Sequence, residues 1–123
     1  MSKITRLERM RFSILTKDLS HCYICGKYRN SLHEIYPGSN RVNSMKWGCV
    51  IPVCAKCHHR LHHDTTLYST TIKDIHYNSI TFMEETQIIM QYAFMKVYKD
   101  INFVSIFHYD YINGLVVKRK KLT

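Results

Sequence analysis

The stretch Val53-Cys54-Ala55-Lys56-Cys57-His58-His59-Arg60-Leu61-His62-His63 decides how this chain folds. It runs a CxxC pair directly into two histidine pairs at helical spacing. Upstream, Cys22-Tyr23-Ile24-Cys25 supplies a second CxxC, with 28 residues between Cys25 and Cys54. Two such knuckles can give four thiolates to a tetrahedral Zn²⁺, a redox-inert ion that needs only a closed shell of this kind. Cys22, Cys25, Cys54 and Cys57 are therefore the expected structural zinc ligands. The fifth cysteine, Cys49, lies in the apolar run Cys49-Val50-Ile51-Pro52-Val53 and reads as packing.

The histidines imply a second site. His58 and His62 are four residues apart, as are His59 and His63. On a helix each pair lies on one face about a turn apart, where two imidazoles converge on one cation, and only one pair can face the strands. His33, in Leu32-His33-Glu34-Ile35, stands on a strand shortly before the Pro37-Gly38-Ser39-Asn40 turn. His33, His58 and His62 together predict a reactive divalent cation, with Mg²⁺, Mn²⁺, Ni²⁺ and Zn²⁺ all open. His76 and His108 read as ordinary polar side chains.

Around this constellation the pattern is α+β. A basic stretch from Thr5 to Arg11 suits a helical turn or two, and Phe12-Ser13-Ile14-Leu15-Thr16 reads as a short strand entering the first knuckle. Leu32–Tyr36 and Cys49–Val53 read as strands, Pro52 implying an edge position or an early end. Ala55–His63 reads as a helix. The order is strand, loop, strand, helix, and residues 12–63 form the metal-bearing core. Residues 64–80, rich in Thr, Ser and Asn, read as a linking loop. Apolar residues then recur at helical spacing from Thr81 to Lys99, and a second helix is expected from Phe103 to Ile112, stopped by Asn113-Gly114. Residues 81–113 are thus C-terminal helices, and 114–123 a basic tail carrying Lys118-Arg119-Lys120-Lys121.

A chain of 123 residues suggests one domain. Its formal net charge of +9 and pI near 9.4 favour a polyanionic partner, since phosphate binding with counterion release is the natural use of such an excess. The charged N-terminus lacks the apolar region of a signal peptide, and no apolar run is long enough to span a membrane. Paired CxxC spacings suit a reducing, cytoplasmic setting.

The run Leu32-His33-Glu34-Ile35, Asn40-Arg41, Asn43-Ser44, Gly48, Pro52-Val53-Cys54, Cys57-His58 and His62 resembles the HNH endonucleases, most closely the small HNH-like proteins of bacteriophages and prophages. The flanks Arg11–Thr16 and Phe103–Tyr111 are similar to the family's N-terminal lead and C-terminal aromatic helix. The resemblance implies a ββα-metal fold that clamps one divalent cation, hydrolysis of DNA phosphodiesters with low sequence specificity, and a host-cell cytoplasmic location. It makes His58 and His62 cation ligands and places His33 on the first strand. Arg41 and Arg60, with Lys46, would hold phosphates.

Two departures from the family follow. Many relatives carry Asp-His or His-His where this chain has His33-Glu34, and the His-His form would make Glu34 the base. Chemistry argues for His33 as base and Glu34 as ligand or orienter, because an imidazole near pKa 6.5 is better matched to pH 7 than a carboxylate near 4.3. Neighbouring strand residues point to opposite faces, so both reach one cation only if the strand bends. Where relatives begin the second strand with Asn, this chain has Cys49; Asn40 or Asn43 would hold the preceding loop instead.

Two other functions use the same residues. One is a nucleic-acid-binding zinc module without catalysis. The other is a recombination or packaging accessory in a phage, with the apolar helix at 81–99 as a homodimer or partner face.

Overall fold

A computed structural model describes residues 2–114 of the chain. The expected basic tail, Lys118–Lys121 included, lies outside them. The architecture is mixed α+β, with helices and two small antiparallel two-stranded sheets. Among the described residues no helix is long and apolar enough to cross a membrane. The chain divides into two compact units, Met1–His59 and a second from Arg60 onward.

The first unit runs α1 (Lys3–Arg9), β1 (Ser31–Glu34), α2 (Arg41–Trp47), β2 (Val50–Val53) and into α3 (Ala55–His63), an unbroken helix in which the boundary falls. β1 and β2 pair in the register Ser31↔Val53, Leu32↔Pro52, His33↔Ile51 and Glu34↔Val50. Pro52 suits this ladder because its carbonyl turns away from β1 and accepts the Tyr23 N–H at 2.9 Å, tying the first knuckle to β2. Ile35, Tyr36, Met45, Val50, Ile51 and Val53 are buried.

Between the strands, where a loop is expected, the chain forms a 3-10 turn (Gly38–Asn40) and then α2. Ser44 makes that helix a structural part of the sheet. Its buried hydroxyl donates to the Tyr36 carbonyl at 2.8 Å and accepts the Tyr36 N–H at 3.1 Å. Gly48 ends α2 in the left-handed region at φ 76°, its N–H bonded to the Ser44 carbonyl. That turn starts β2 directly.

Phe12–Thr16 is not a strand. The Ser13 hydroxyl accepts the N–H groups of Leu15 and Thr16 at 3.1 and 3.3 Å, which bends the backbone out of a ladder. The segment is held by a single bond from the Ile14 N–H to the Gly48 carbonyl at 3.0 Å and by the Phe12 ring lying against Gly48.

In the second unit, residues 64–80 are not a linking loop. They hold a hairpin, β3 (Tyr68–Ile72) and β4 (Ile75–Ile80), turned through Lys73 and Asp74 at φ 51° and 68°. Two adjacent positive φ angles are what a tight hairpin turn demands, and Lys-Asp meets the demand without the usual Asn-Gly or Asp-Gly pair. Tyr77 and Ile80 of β4 pack with Ile88 and Ile112.

α4 (Phe82–Val97) opens with a full capping box between Thr81 and Glu84. The C-terminal helix expected over Phe103–Ile112 is broken. α5 (Phe103–Phe107) stops at His108, which is left-handed at φ 65°, and residues 111–114 are helical again. Asn113 and Gly114 are helical themselves, and the residues that follow lie outside the described ones. Asp110 causes the restart: its carboxylate accepts the N–H groups of Ile112 and Asn113, both at 3.1 Å.

Gly48→Ala is expected to lower stability by about 1–3 kcal/mol, because it adds left-handed strain to a collision with the Phe12 ring. Urea unfolding of the two proteins would measure the loss. Gly26→Ala, at φ 81° with open space around the new methyl, should lose only the strain, about 1–2 kcal/mol.

Candidate metal centre

Each knuckle is shaped by its own backbone. In the first, the Gly26 N–H returns to the Cys22 carbonyl at 2.9 Å, the Cys22 N–H donates to the Lys27 carbonyl at 2.6 Å, and Gly26 takes the left-handed angle that lets the chain reverse. In the second, Cys54 immediately precedes α3. Its carbonyl accepts the His58 N–H at 2.9 Å and its sulfur accepts the Cys57 N–H at 3.4 Å. Cys54 thus caps the helix with a thiol where Ser or Asp would ordinarily stand.

The sheet brings the two knuckles together. Cys22, Cys25, Cys54 and Cys57 each place a sulfur within 4.8 Å of the others, and these four cysteines could hold a metal such as zinc. The Cys25–Cys54 sulfurs are 3.6 Å apart, against a tetrahedral edge of about 3.8 Å for Zn–S bonds near 2.3 Å and about 2.0 Å for a disulfide.

Charge points the same way. Burial opposes ionisation of Cys22, but N–H groups of Cys25, Cys54 and Ile24 outweigh it and bring the thiol down to about 6. The Cys57 N–H lowers Cys54. Cys57 is pushed up, by burial first and then by the sulfurs of Cys54, Cys25 and Cys22. Four negative charges do not coexist in this space unaided, and a divalent cation is what would let all four ionise. Cys49 stands apart: it is fully buried, and burial alone lifts its thiol to about 12.

The histidines form a second group. His33, His58 and His62 each offer a nitrogen within 4.8 Å of the others, and His33 is buried. The His33 and His58 rings meet edge-on with centroids 5.2 Å apart. His58 Nδ1 lies 3.0 Å from the Ser31 hydroxyl, a contact that orients the ring. His62 follows one turn later on α3. His62 is exposed, as are His59 and His63, and it is the His58–His62 pair whose nitrogens fall within reach of His33.

Strand alternation separates His33 from Glu34. Ser31 and His33 share the face of β1 that meets His58, whereas Glu34 points the other way. There the Glu34 carboxylate sits 3.1 Å from Arg11 and 3.4 Å from Arg41, and Arg41 reaches Glu8 at 3.0 Å. The histidine group of His33, His58 and His62 does not include Glu34.

The remaining expected residues are placed as follows. Arg41 belongs to the ion-pair network just described. Arg60 pairs with Asp64 at 3.2 Å and lies 3.8 Å over the Phe82 ring, and Lys46 is exposed on α2 with its ammonium 5.7 Å from the Trp47 ring. Asn43 donates to Asn40 at 3.4 Å at the start of α2, and Ser44 bonds α2 to the Tyr36 backbone. Ser31 and Ser44 are the positioning residues that the sequence reading missed. Serine is too common for either to stand out, although Ser31 falls on the His33 face of its strand. No family model matches the chain, and no curated protein or solved structure matches it either.

Cys54→Ser is expected to lose the metal of the four-cysteine site and to lower the melting temperature sharply. Cys49→Ala should keep that metal and lose only about 1–2 kcal/mol of packing. Elemental analysis alongside thermal unfolding separates the two outcomes.

Proposed function

We propose that this chain is a metal-dependent endonuclease of the HNH type that hydrolyses DNA phosphodiesters, with a structural zinc on its four cysteines. The observation that carries this reading is the convergence of His33 from β1 with His58 and His62 from α3, beside the thiol cluster on the same helix. A module that only bound nucleic acid would need the four thiols and the basic surface, not three imidazoles around one point.

Three neutral imidazoles form a donor set suited to a borderline ion such as Zn²⁺ or Ni²⁺ more than to Mg²⁺ or Mn²⁺, which favour oxygen. Three protein ligands also leave a position open, as catalytic sites require. A divalent cation bound there would acidify a water and offset charge on the scissile phosphate and its leaving oxygen. In this reading His33 is a ligand rather than the base. Ser31 holds the His58 ring in its ligating orientation, and Glu34 aligns the Arg11 and Arg41 guanidinium groups. Arg41, Arg60 and Lys46 contribute phosphate contacts, which position a duplex without reading its sequence.

His58→Ala and His33→Ala are each expected to lower plasmid cleavage by at least about 100-fold, a loss typical when a ligand to a catalytic ion is removed. Both should retain the zinc of the cysteine site. Were His33 the base, His33→Ala would lose cleavage but bind the second ion with unchanged affinity, which calorimetric titration with Ni²⁺ reads directly. Pure wild-type protein that binds DNA yet cleaves none with any of these cations would overturn the enzyme reading in favour of a binding module.

A further inference from the structure

The first knuckle carries a surface that the cleavage chemistry does not use. The residues flanking it, His21 and Tyr28, form a β-bridge, and their rings stack with centroids 4.9 Å apart at 27°. Tyr28 is 79% exposed, the most open large hydrophobic side chain among the described residues. The ring beneath it is not loose. His21 Nδ1 lies 2.9 Å from the Asp18 carboxylate, which also accepts the Ser20 N–H at 2.9 Å and the Ser20 hydroxyl at 2.6 Å. An exposed aromatic ring braced from below is a platform, and its outer face has room for another flat ring.

Immediately beyond Tyr28 the chain enters a cleft of about 600 Å³ lined by Glu8, Arg9, Arg11, Arg29, Asn30 and Ser31, among others. Its charges are unbalanced. Glu8 is matched by Arg41 and Arg11 by Glu34, whereas Arg9 and Arg29 have no ion-pair partner among the described residues. Two guanidinium groups thus remain available to phosphate. Ser31, whose hydroxyl contacts His58, is among the residues that line the cleft.

We propose that the Tyr28–His21 stack and the arginine-lined cleft together bind single-stranded DNA, one base stacking on Tyr28 while the following phosphates enter the cleft at Arg29 and Arg9. In a duplex the bases are already stacked on each other, and their faces are not offered to a protein ring. An unpaired segment offers them, and every base has a face to stack. This deepens the endonuclease reading by naming its substrate class as DNA with unpaired bases, and takes from that reading only the choice of DNA as the polyanion.

The test uses the full-length, zinc-loaded protein without added divalent ion, so that binding is read apart from cleavage. Fluorescence anisotropy would compare oligothymidylate, an abasic strand of the same length and the matching duplex. Oligothymidylate should bind tightest. Tyr28→Ala should weaken it about ten-fold and leave the abasic strand unchanged, while Tyr28→Phe retains the affinity. Arg29→Ala should weaken both strands and reduce the slope of log K against log salt by about 0.7, one phosphate contact on a single strand. Equal binding of all three probes, or a Tyr28→Ala protein indistinguishable from wild type with its zinc intact, would overturn the proposal. Duplex cleavage by the same preparation would then leave the endonuclease reading standing. Selective single-strand binding without any cleavage would remove that reading and keep this one.

Discussion

Four sulfurs held within 4.8 Å of one another are the constraint on which the first unit depends. Between Ser20 and Asn30 the chain has little apolar material to bury, and its ordering rests on backbone turns that close around thiols. The second knuckle adds a link that a hydrophobic contact would not supply. Cys54 is at once a member of the cluster and the cap of α3, so the point where the helix starts is fixed by the same atom that would bind metal. A cation drawing four thiolates together would therefore set the helix in register with the sheet, which couples metal binding to folding.

Register along α3 then becomes rotation about its axis. Cys57 and Leu61, four residues apart on α3, are both buried. The next residue in each case, His58 and His62, lies about 100° further round, given the 3.6-residue turn. That rotation aims both imidazoles at the face of β1 carrying Ser31 and His33. The strand's period of two does the complementary sorting, leaving His33 toward the helix and Glu34 toward the arginines. Two periodicities, anchored at one thiol cluster, are enough to assemble the histidine group.

The legible parts of the sequence were those in which spacing maps directly onto geometry. The CxxC pairs, the i, i+4 histidines, the β1–β2 pair and the long helix after Thr81 all have that property, and each is present. The misplaced parts were decided by interactions that spacing does not encode. Ser13 takes two backbone N–H groups and bends a segment whose apolar pattern reads as a strand. Asp110 does the same in a helical pattern, capping a new turn after His108 has ended α5. The hairpin at 68–80 was hidden because Lys73-Asp74 carries the positive φ angles in place of glycine or asparagine. The Glu34 ion pairs with Arg11 and Arg41 are likewise invisible to spacing, since both arginines are distant from it in sequence or separated by the intervening turn.

The position of Glu34 also bears on how a polyanion would meet this surface. A carboxylate among the three histidines would reduce the charge that a divalent cation presents to a phosphate, and three imidazoles leave it whole. Turned to the other face, Glu34 instead anchors Arg11 and Arg41 and has its own charge matched there. Glu8 is likewise matched by Arg41. The acidic groups nearest β1 are thus used in orienting arginines, and the excess that remains is positive, as the net charge of +9 requires of the chain as a whole. On the proposed reading, these ion pairs do more for function than for stability. Partly exposed pairs contribute only about 0–1 kcal/mol each, but a guanidinium held in place by a carboxylate loses less freedom when a phosphate arrives.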